Sequence, residues 1–138
     1  MYLYINNIVV CEYGDIRLVD GTTELEGRVE LCINETWGTV CDGFWSTFDT
    51  NVACRQLGYQ PSMSTPLYNA AFGPGTGPIW IDDLLCRNTE QRLIDCPHGG
   101  VGNIDFCNGH NDDAGVRCLE GTLIAFNLTQ QRQPFLVP

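Results

Sequence analysis

The sequence contains no lysine, and all seven of its basic residues are arginines. Because 17 residues are acidic, the formal net charge is −10 over 138 residues. Nucleic acids and anionic membrane surfaces bind to clustered positive charge, and the sequence has no basic run. The composition therefore argues against both classes of partner.

A long apolar stretch is also missing. No segment reaches the length of a membrane span, so we expect no direct membrane insertion in this segment. The first ten residues have no positively charged region, and Asn6 and Asn7 interrupt their apolar run, so they do not read as an export signal. We expect the chain to be a fragment of a longer protein or to lack part of its beginning.

The eight cysteines form no Cys-x-x-Cys pair. Zinc sites usually draw two ligands from one tight turn, so the wide spacing favours disulfides over metal ligation or free thiols. Disulfides persist in oxidising compartments, which predicts an extracellular chain, either secreted or part of a membrane protein's ectodomain. The cysteines lie at positions 11, 32, 41, 54, 86, 96, 107 and 118.

Two triplets fit the acceptor pattern for N-linked glycosylation. They begin at Asn34 and Asn127. Such triplets also occur by chance, so both asparagines are candidate sites whose use depends on secretion.

Alternating apolar residues predict several short strands. In 27–33, Val29, Leu31 and Ile33 share one face, so Cys32 points to the other face and its partner should lie outside the main core. Further strands are predicted near 15–21, 37–41, 78–81 and 114–118, and the strands at 27–33 and 37–41 are close enough to form a hairpin.

One helix is predicted at 47–57, where apolar residues recur at helical spacing and Gly58 can end the helix. Its candidate caps are Ser46, Thr47 and Asp49. A second short helix is predicted at 88–95, where Asn88 and Gln91 resemble a capping box. Residues 61–78 and 97–111 are predicted to be long loops, so the fold class is α+β.

Several segments resemble, in order and separation, the scavenger receptor cysteine-rich domain. They are Glu26–Glu30, Trp37–Asp42, Val52–Gly58, Phe72–Gly73, Gly77–Asp83, Cys86 and Asp113–Cys118. The resemblance covers about residues 16–118, so we expect an N-terminal extension at 1–14, the domain at 15–119 and a C-terminal tail or linker at 120–138. It implies a small disulfide-rich fold in which a curved antiparallel sheet cradles the main helix.

The resemblance also implies three disulfides, and the six-cysteine group of the family is the better match. The pairs are Cys41–Cys107, Cys54–Cys118 and Cys86–Cys96. Cys11 and Cys32 lie outside this set. We predict that they bond each other and pin the N-terminal segment to the outside of the sheet. The alternative is that either one bridges to another chain or module.

Calcium prefers several oxygen ligands on rigid loops, and the aspartates concentrate near the cysteines. In the family, acidic residues at these positions form cation sites that bind anionic ligands. The resemblance implies one site with Asp42 and Asp112 and a second with Asp49 and Asp82. Gly43 stands where the family commonly has another acid, so we expect the first site to be weaker. The alternative is that these aspartates cap turns and pair with arginines.

Arg87 and Arg92 are a second candidate for contacting an anionic ligand, because some family members use clustered arginines. The alternative for them is ion pairing with nearby acids. We find no nucleophile motif and no phosphate loop, so we predict that the chain is not an enzyme.

The resemblance and the charge together predict an extracellular ligand-binding module of the scavenger receptor type. Its expected ligands are anionic polysaccharides, lipopolysaccharide-like molecules or proteins. A bound Ca²⁺ would reverse the local charge and leave coordination positions open for the ligand's oxygens. The alternatives are a structural or adhesive repeat of a longer array, and a non-catalytic accessory part of a secreted protease or oxidase.

Overall fold

The computed structural model describes residues 3–5 and 8–121. These residues form short strands and one α-helix. In chain order they are β1 (Leu3–Ile5), β2 (Ile8–Val10), β3 (Ile16–Asp20), β4 (Glu26–Ile33), β5 (Thr36–Val40), α1 (Thr47–Gln56), β6 (Thr65–Leu67), β7 (Ile79–Ile81) and β8 (Gly115–Arg117). None of the described residues forms a helix that is long and apolar enough to cross a membrane.

The eight-residue strand β4 is the centre of the main sheet. It pairs with β3 along 27–31, with β8 along 26–28 and with β5 along 30–33. The order β6-β8-β4-β5-β7 is antiparallel except for the parallel pair β5 and β7. The predicted curved sheet is therefore present, and β1 and β2 form a separate two-stranded hairpin.

The core forms where the apolar face of β4 packs with α1. Val29 and Leu31 are fully buried there together with Val52 of the helix. The opposite face of β4 is also buried: Cys32 has no exposed surface, although it lies outside the main apolar cluster. Because both faces of β4 are buried, the strands β5 and β8 that pair with it are held in place. The loop that follows β5 and the loop that precedes β8 are therefore anchored to the same strand.

The helix begins with a capping box. The Ser46 hydroxyl accepts a hydrogen bond from the Phe48 N–H, and the Asp49 carboxylate accepts one from the Ser46 N–H at 2.8 Å. The helix ends just before Gly58, whose φ of 85° falls in the left-handed region that glycine tolerates. The prediction for this helix is confirmed to within one residue.

The predicted second helix at 88–95 is wrong in extent, because only Leu93–Asp95 forms a single 3₁₀ turn. Asn88 has a φ of 73°, which is incompatible with a helix start. The guanidinium of Arg55 donates to the carbonyls of Asn88 and Glu90, so these carbonyls bind a distant side chain instead of helical N–H groups. The loop predicted at 61–78 contains β6, and the loop at 97–111 leads into a 3₁₀ turn at Gly109–Asp112.

Four disulfides join the eight cysteines, and no cysteine is free. The pairs are Cys11–Cys32, Cys41–Cys107, Cys54–Cys118 and Cys86–Cys96. These are the pairs that the sequence analysis names. Each closes a loop that the short strands alone would leave open, and together they restrict the unfolded chain.

Candidate functional site

Asp42 and Asp112 lie together at the end of β5. Asp42 follows Cys41, whose disulfide to Cys107 ties this loop to the segment that carries Asp112. The Asp42 N–H donates to the Asp112 carbonyl oxygen at 2.8 Å. One carboxylate oxygen of each aspartate and the Cys41 sulfur all lie within 4.8 Å of one another. The sulfur is in a disulfide, so the two carboxylates are the usable cation ligands of this group.

Each of these two carboxylates accepts a hydrogen bond from the protein at one oxygen. Asp42 Oδ2 accepts a hydrogen bond from the Asn69 N–H at 2.7 Å, and Asp112 Oδ2 accepts one from the Asn108 N–H at 3.0 Å. Within residues 10–121 the other oxygen of each carboxylate accepts no hydrogen bond. Backbone donors therefore orient both groups and leave one oxygen of each available to a ligand.

Asp82 and Asp83 approach the same turn from the end of β7. A Cβ atom on Gly43 would lie 2.6 Å from Asp83 Oδ1 and 2.7 Å from Asp82 Oδ1, so only glycine permits this close approach. Burial raises the pKa of Asp82, and the negative charges of Asp83 and Asp42 add to this rise. The carboxylate of Asp83 therefore faces the turn at Gly43. Asp83 was not among the predicted ligands, because a sequence does not show what packs against Gly43.

Asp49 has a different environment from the other sequence-predicted ligands. It is 1% exposed, and its Oδ2 accepts hydrogen bonds from the Ser46 N–H and hydroxyl. Its Oδ1 accepts a hydrogen bond from the Cys86 N–H at 2.9 Å. Burial raises the pKa of Asp49, and these hydrogen bonds act against the rise. Both oxygens are therefore used to cap α1 and to attach it to the segment at Cys86.

Asp113 was missed by the sequence analysis. It is 1% exposed, and its Oδ2 accepts a hydrogen bond from the Gly75 N–H at 2.7 Å and lies 2.9 Å from His110 Nδ1. The other ring nitrogen of His110 lies 2.8 Å from the Gly77 carbonyl oxygen. Asp112 ends the 3₁₀ turn at Gly109–Asp112, and Asp113 is the first extended residue after it, so the two side chains have different surroundings that the sequence alone does not show.

The arginines are mostly engaged in contacts within the protein. Arg92 lies 3.4 Å from Asp95 and donates to the Tyr13 carbonyl oxygen. Arg117 pairs with Glu26 at 2.8 Å, and this hydrogen bond, together with those from the Thr22 N–H and hydroxyl, lowers the pKa of Glu26 to about 2. Arg87 is exposed, and its backbone N–H donates to the Glu90 carboxylate. The ion-pair alternative therefore describes Arg92, while Arg87 presents its guanidinium to solvent.

Phe44 is exposed at the turn between Asp42 and the helix. The Trp45 N–H donates to the Asp42 carbonyl oxygen, and Phe44 occupies the third position of this turn with a φ of 57°. Type II turns prefer glycine at that position, because a side chain there is strained. The side chain of Phe44 is nonetheless 72% exposed, so packing within the described chain does not offset the strain.

Comparison with known proteins shows which family the chain belongs to. The scavenger receptor cysteine-rich domain matches residues 19–119, so the chain belongs to that family of extracellular ligand-binding modules. The third domain of this family from murine neurotrypsin has a similar structure, with 42% identity and a TM-score of 0.66. That similarity covers 75% of this chain and 94% of the other. The dimeric form of the domain from mouse MARCO gives 43% identity and a TM-score of 0.61, covering 74% and 92%.

Among curated proteins, the chain is similar to galectin-3-binding proteins. The identity is 46% over 109 residues with that of Mesocricetus auratus and 47% over 111 residues with that of Mus musculus. These matches cover 79% and 80% of this chain but only 18% and 19% of the relatives. The chain therefore spans about a fifth of the length of these relatives.

Proposed function

We propose that this module binds Ca²⁺ at the turn that carries Asp42, Asp112, Asp82 and Asp83, and binds its ligand through that ion. The observation that carries the proposal is the pair of oriented carboxylates, Asp42 and Asp112, with oxygens within 4.8 Å of each other. Calcium accepts carboxylate and carbonyl oxygens in flexible geometry, so two carboxylates and nearby backbone oxygens suit it better than they suit zinc.

Electrostatics support a bound cation at this place. The charges of Asp83 and Asp42 help to raise the pKa of Asp82, which means that the carboxylates repel one another. A divalent ion relieves that repulsion, offsets the local negative charge and offers open coordination positions to oxygens of a ligand. In a chain with a net charge of −10, this is a physical route by which a sulfated or phosphorylated ligand approaches the surface.

The exposed side chain of Phe44 supports the proposal that the ligand also has an apolar part. Its exposed ring lies two residues from Asp42, and the Tyr68 hydroxyl donates to the Trp45 carbonyl beside it at 2.8 Å. Exposed aromatic side chains are enriched among residues that anchor protein partners. A protein ligand that presents an acidic group beside an apolar one fits this surface. The relatives named galectin-3-binding proteins are themselves named for a protein partner.

Calorimetric titration with CaCl₂ alone tests the ion site. We expect the wild-type module to bind Ca²⁺ with a Kd of about 0.1–1 mM, as extracellular modules do. Asp42→Asn should weaken binding about tenfold or more. Glu24→Gln is the matched control, because it removes one exposed carboxylate elsewhere on the surface. Absence of heat at millimolar Ca²⁺ would remove the calcium mechanism and leave the fold intact.

Binding to immobilised dextran sulfate, with and without Ca²⁺, tests the ligand class. We expect retention that requires Ca²⁺ and that Asp42→Asn abolishes. Retention that survives a chelator and is lost in Arg87→Gln would instead assign anion binding to the exposed guanidinium. A module that binds Ca²⁺ but no polyanion would favour a protein ligand.

A further inference from the structure

The tip of the β4–β5 hairpin is exposed to solvent. Ile33 pairs with Thr36, and the two residues between them, Asn34 and Glu35, have φ values of 54° and 58°. Positive φ at both central positions is the signature of a type I′ turn, in which asparagine is a favoured first residue. Asn34, Glu35 and Thr36 are all exposed.

These three residues present a complete acceptor for N-linked glycosylation. Asn34 supplies the carboxamide, Glu35 is not proline, and Thr36 supplies the hydroxyl that the pattern needs. The Thr36 hydroxyl donates to the Asn34 backbone carbonyl at 3.1 Å. The Asn34 carboxamide makes no hydrogen bond within residues 10–121, so a sugar attached to it displaces none of those contacts.

The base of the tip is firmly held. Trp80 Nε1 donates to the Thr36 carbonyl oxygen at 3.1 Å, and the Arg17 guanidinium lies 4.4 Å from the centre of the Trp37 ring. Gly38 permits the approach of Trp80, because a Cβ there would lie 2.5 Å from the indole. The hairpin therefore does not rely on burying Asn34 or Glu35, and bulk added at Asn34 is compatible with the fold.

We propose that Asn34 carries an N-linked glycan and that this end of the module faces solvent in the complete protein. The Asn34 Nδ2 forms a bond to the anomeric carbon of a lipid-linked oligosaccharide. The bond from that carbon to the pyrophosphate oxygen breaks, the lipid pyrophosphate leaves, and one proton of the amide is released. The extracellular location and the four disulfides place the chain in the compartment where this transfer occurs.

The glycan lies at the end of the module opposite the aspartates. Strand β5 runs from Thr36 to Val40, and Asp42 follows it by two residues. At about 3.3 Å per residue, six residues span roughly 20 Å. The oligosaccharide therefore leaves the Asp42 surface open and prevents a neighbouring module from packing on the hairpin tip. This inference goes beyond the calcium proposal and does not depend on it.

Peptide mapping of the full chain, secreted from mammalian cells, tests the inference. Enzymatic deglycosylation converts a glycosylated asparagine to aspartate, which marks the site in a mass spectrum. We expect the Asn34 peptide of the wild-type protein to carry this mark. An unmodified Asn34 peptide in the secreted, disulfide-bonded protein would overturn the proposal, and this measurement needs no variant.

Variants separate the acceptor from the fold. Thr36→Ala should remove the glycan at residue 34, Thr36→Ser should retain it, and Asn127→Gln should leave it unchanged. A glycan at residue 34 that persists in Thr36→Ala would contradict the assignment. Enzymatic removal of the glycan should change the Kd for Ca²⁺ by less than about twofold; a larger change would show that the sugar reaches the aspartates. If no Ca²⁺ binds to either form, the calcium proposal fails and the mapped glycan still stands.

Discussion

Two sets of aspartates in this module have opposite environments. Asp49 and Asp113 are buried, and their oxygens accept hydrogen bonds from the protein. Asp42 and Asp112 are half-exposed, and each keeps one oxygen that accepts no hydrogen bond within residues 10–121. Residue type and nearness to a cysteine are alike in the two sets. What differs is burial and whether donors of the protein, from backbone or side chain, contact both oxygens of the carboxylate, as they do at Asp49 and Asp113. This difference separates a structural aspartate from a candidate ligand.

The largest expected effect is on Asp49. Asp49→Ala leaves the Ser46 and Cys86 N–H groups without their acceptor in a buried place. Each unsatisfied donor costs about 1–3 kcal/mol, so we expect the free energy of unfolding to fall by about 3 kcal/mol. Urea denaturation measures this, with the exposed Asp105→Ala as control. Folded Asp49→Ala should bind Ca²⁺ as wild type does; lost binding would return Asp49 to the ligand set.

Asp113→Asn should give the next largest effect. The change replaces one acceptor oxygen with a donor group beside the Gly75 N–H or the His110 ring. We expect a loss of about 2 kcal/mol in the free energy of unfolding, because a charged, buried hydrogen bond is removed. Asp105→Asn is the matched change at an exposed position, and its thermal unfolding should remain close to that of wild type. Equal effects in the two variants would remove the distinction between buried and open aspartates.

Phe44→Gly should stabilise the module. Glycine adopts a φ of 57° without strain, and the exposed ring contributes little packing in the described chain. Relief of about 1–3 kcal/mol of strain is partly offset by about 0.5–1 kcal/mol of extra chain entropy that glycine loses on folding, so we expect a net gain of about 1 kcal/mol in the free energy of unfolding. Phe44→Ala, which keeps a Cβ, is the control and should gain less. If the glycine variant is destabilised, the ring packs on the protein, and it is then unavailable to a ligand.

The smallest effect concerns pH. Burial raises the pKa of Asp49 in the folded state, so at pH values between the unfolded and the folded pKa the folded protein holds a proton that the unfolded chain has released. The stabilisation from this proton is complete below the unfolded pKa of about 3.9 and is lost as the pH rises through the folded pKa. The side chain in the Asp49→Asn variant does not titrate, so the stability of this variant should fall less steeply as the pH rises from the unfolded to the folded pKa of Asp49. Parallel curves of melting temperature against pH would contradict the raised pKa.

Local signals made the main helix and the central strand predictable. Ser46 and Asp49 cap α1 through contacts three residues apart, and the alternation in β4 is readable from seven residues. The helix predicted at 88–95 does not form, because Arg55, more than 30 residues away, donates to carbonyl oxygens that a helix would use. The short strand β6 exists only because β8 pairs with it, and no pattern within three residues reveals that partner.

The candidate site was also only partly predictable, because contacts between residues distant in the sequence decide which aspartates belong to it. The resemblance to a family brought Asp42 and Asp112 together, and the structure also places them together. Asp83 joined them because Gly43 leaves room for its carboxylate, a fact that depends on how two distant loops pack. Asp49 was selected as a ligand because a sequence does not show the Cys86 N–H that occupies its second oxygen.

The disulfide between Cys41 and Cys107 bridges 66 residues of chain and joins the two segments that carry the proposed ion pocket. A newly made, reduced polypeptide does not have this link, so its two aspartates are not yet held beside each other. Oxidation in the secretory compartment then assembles the pocket as it locks the loops. The proposed ion binding is thereby tied to maturation, and the protein acquires this proposed activity only after it has left the reducing interior of the cell.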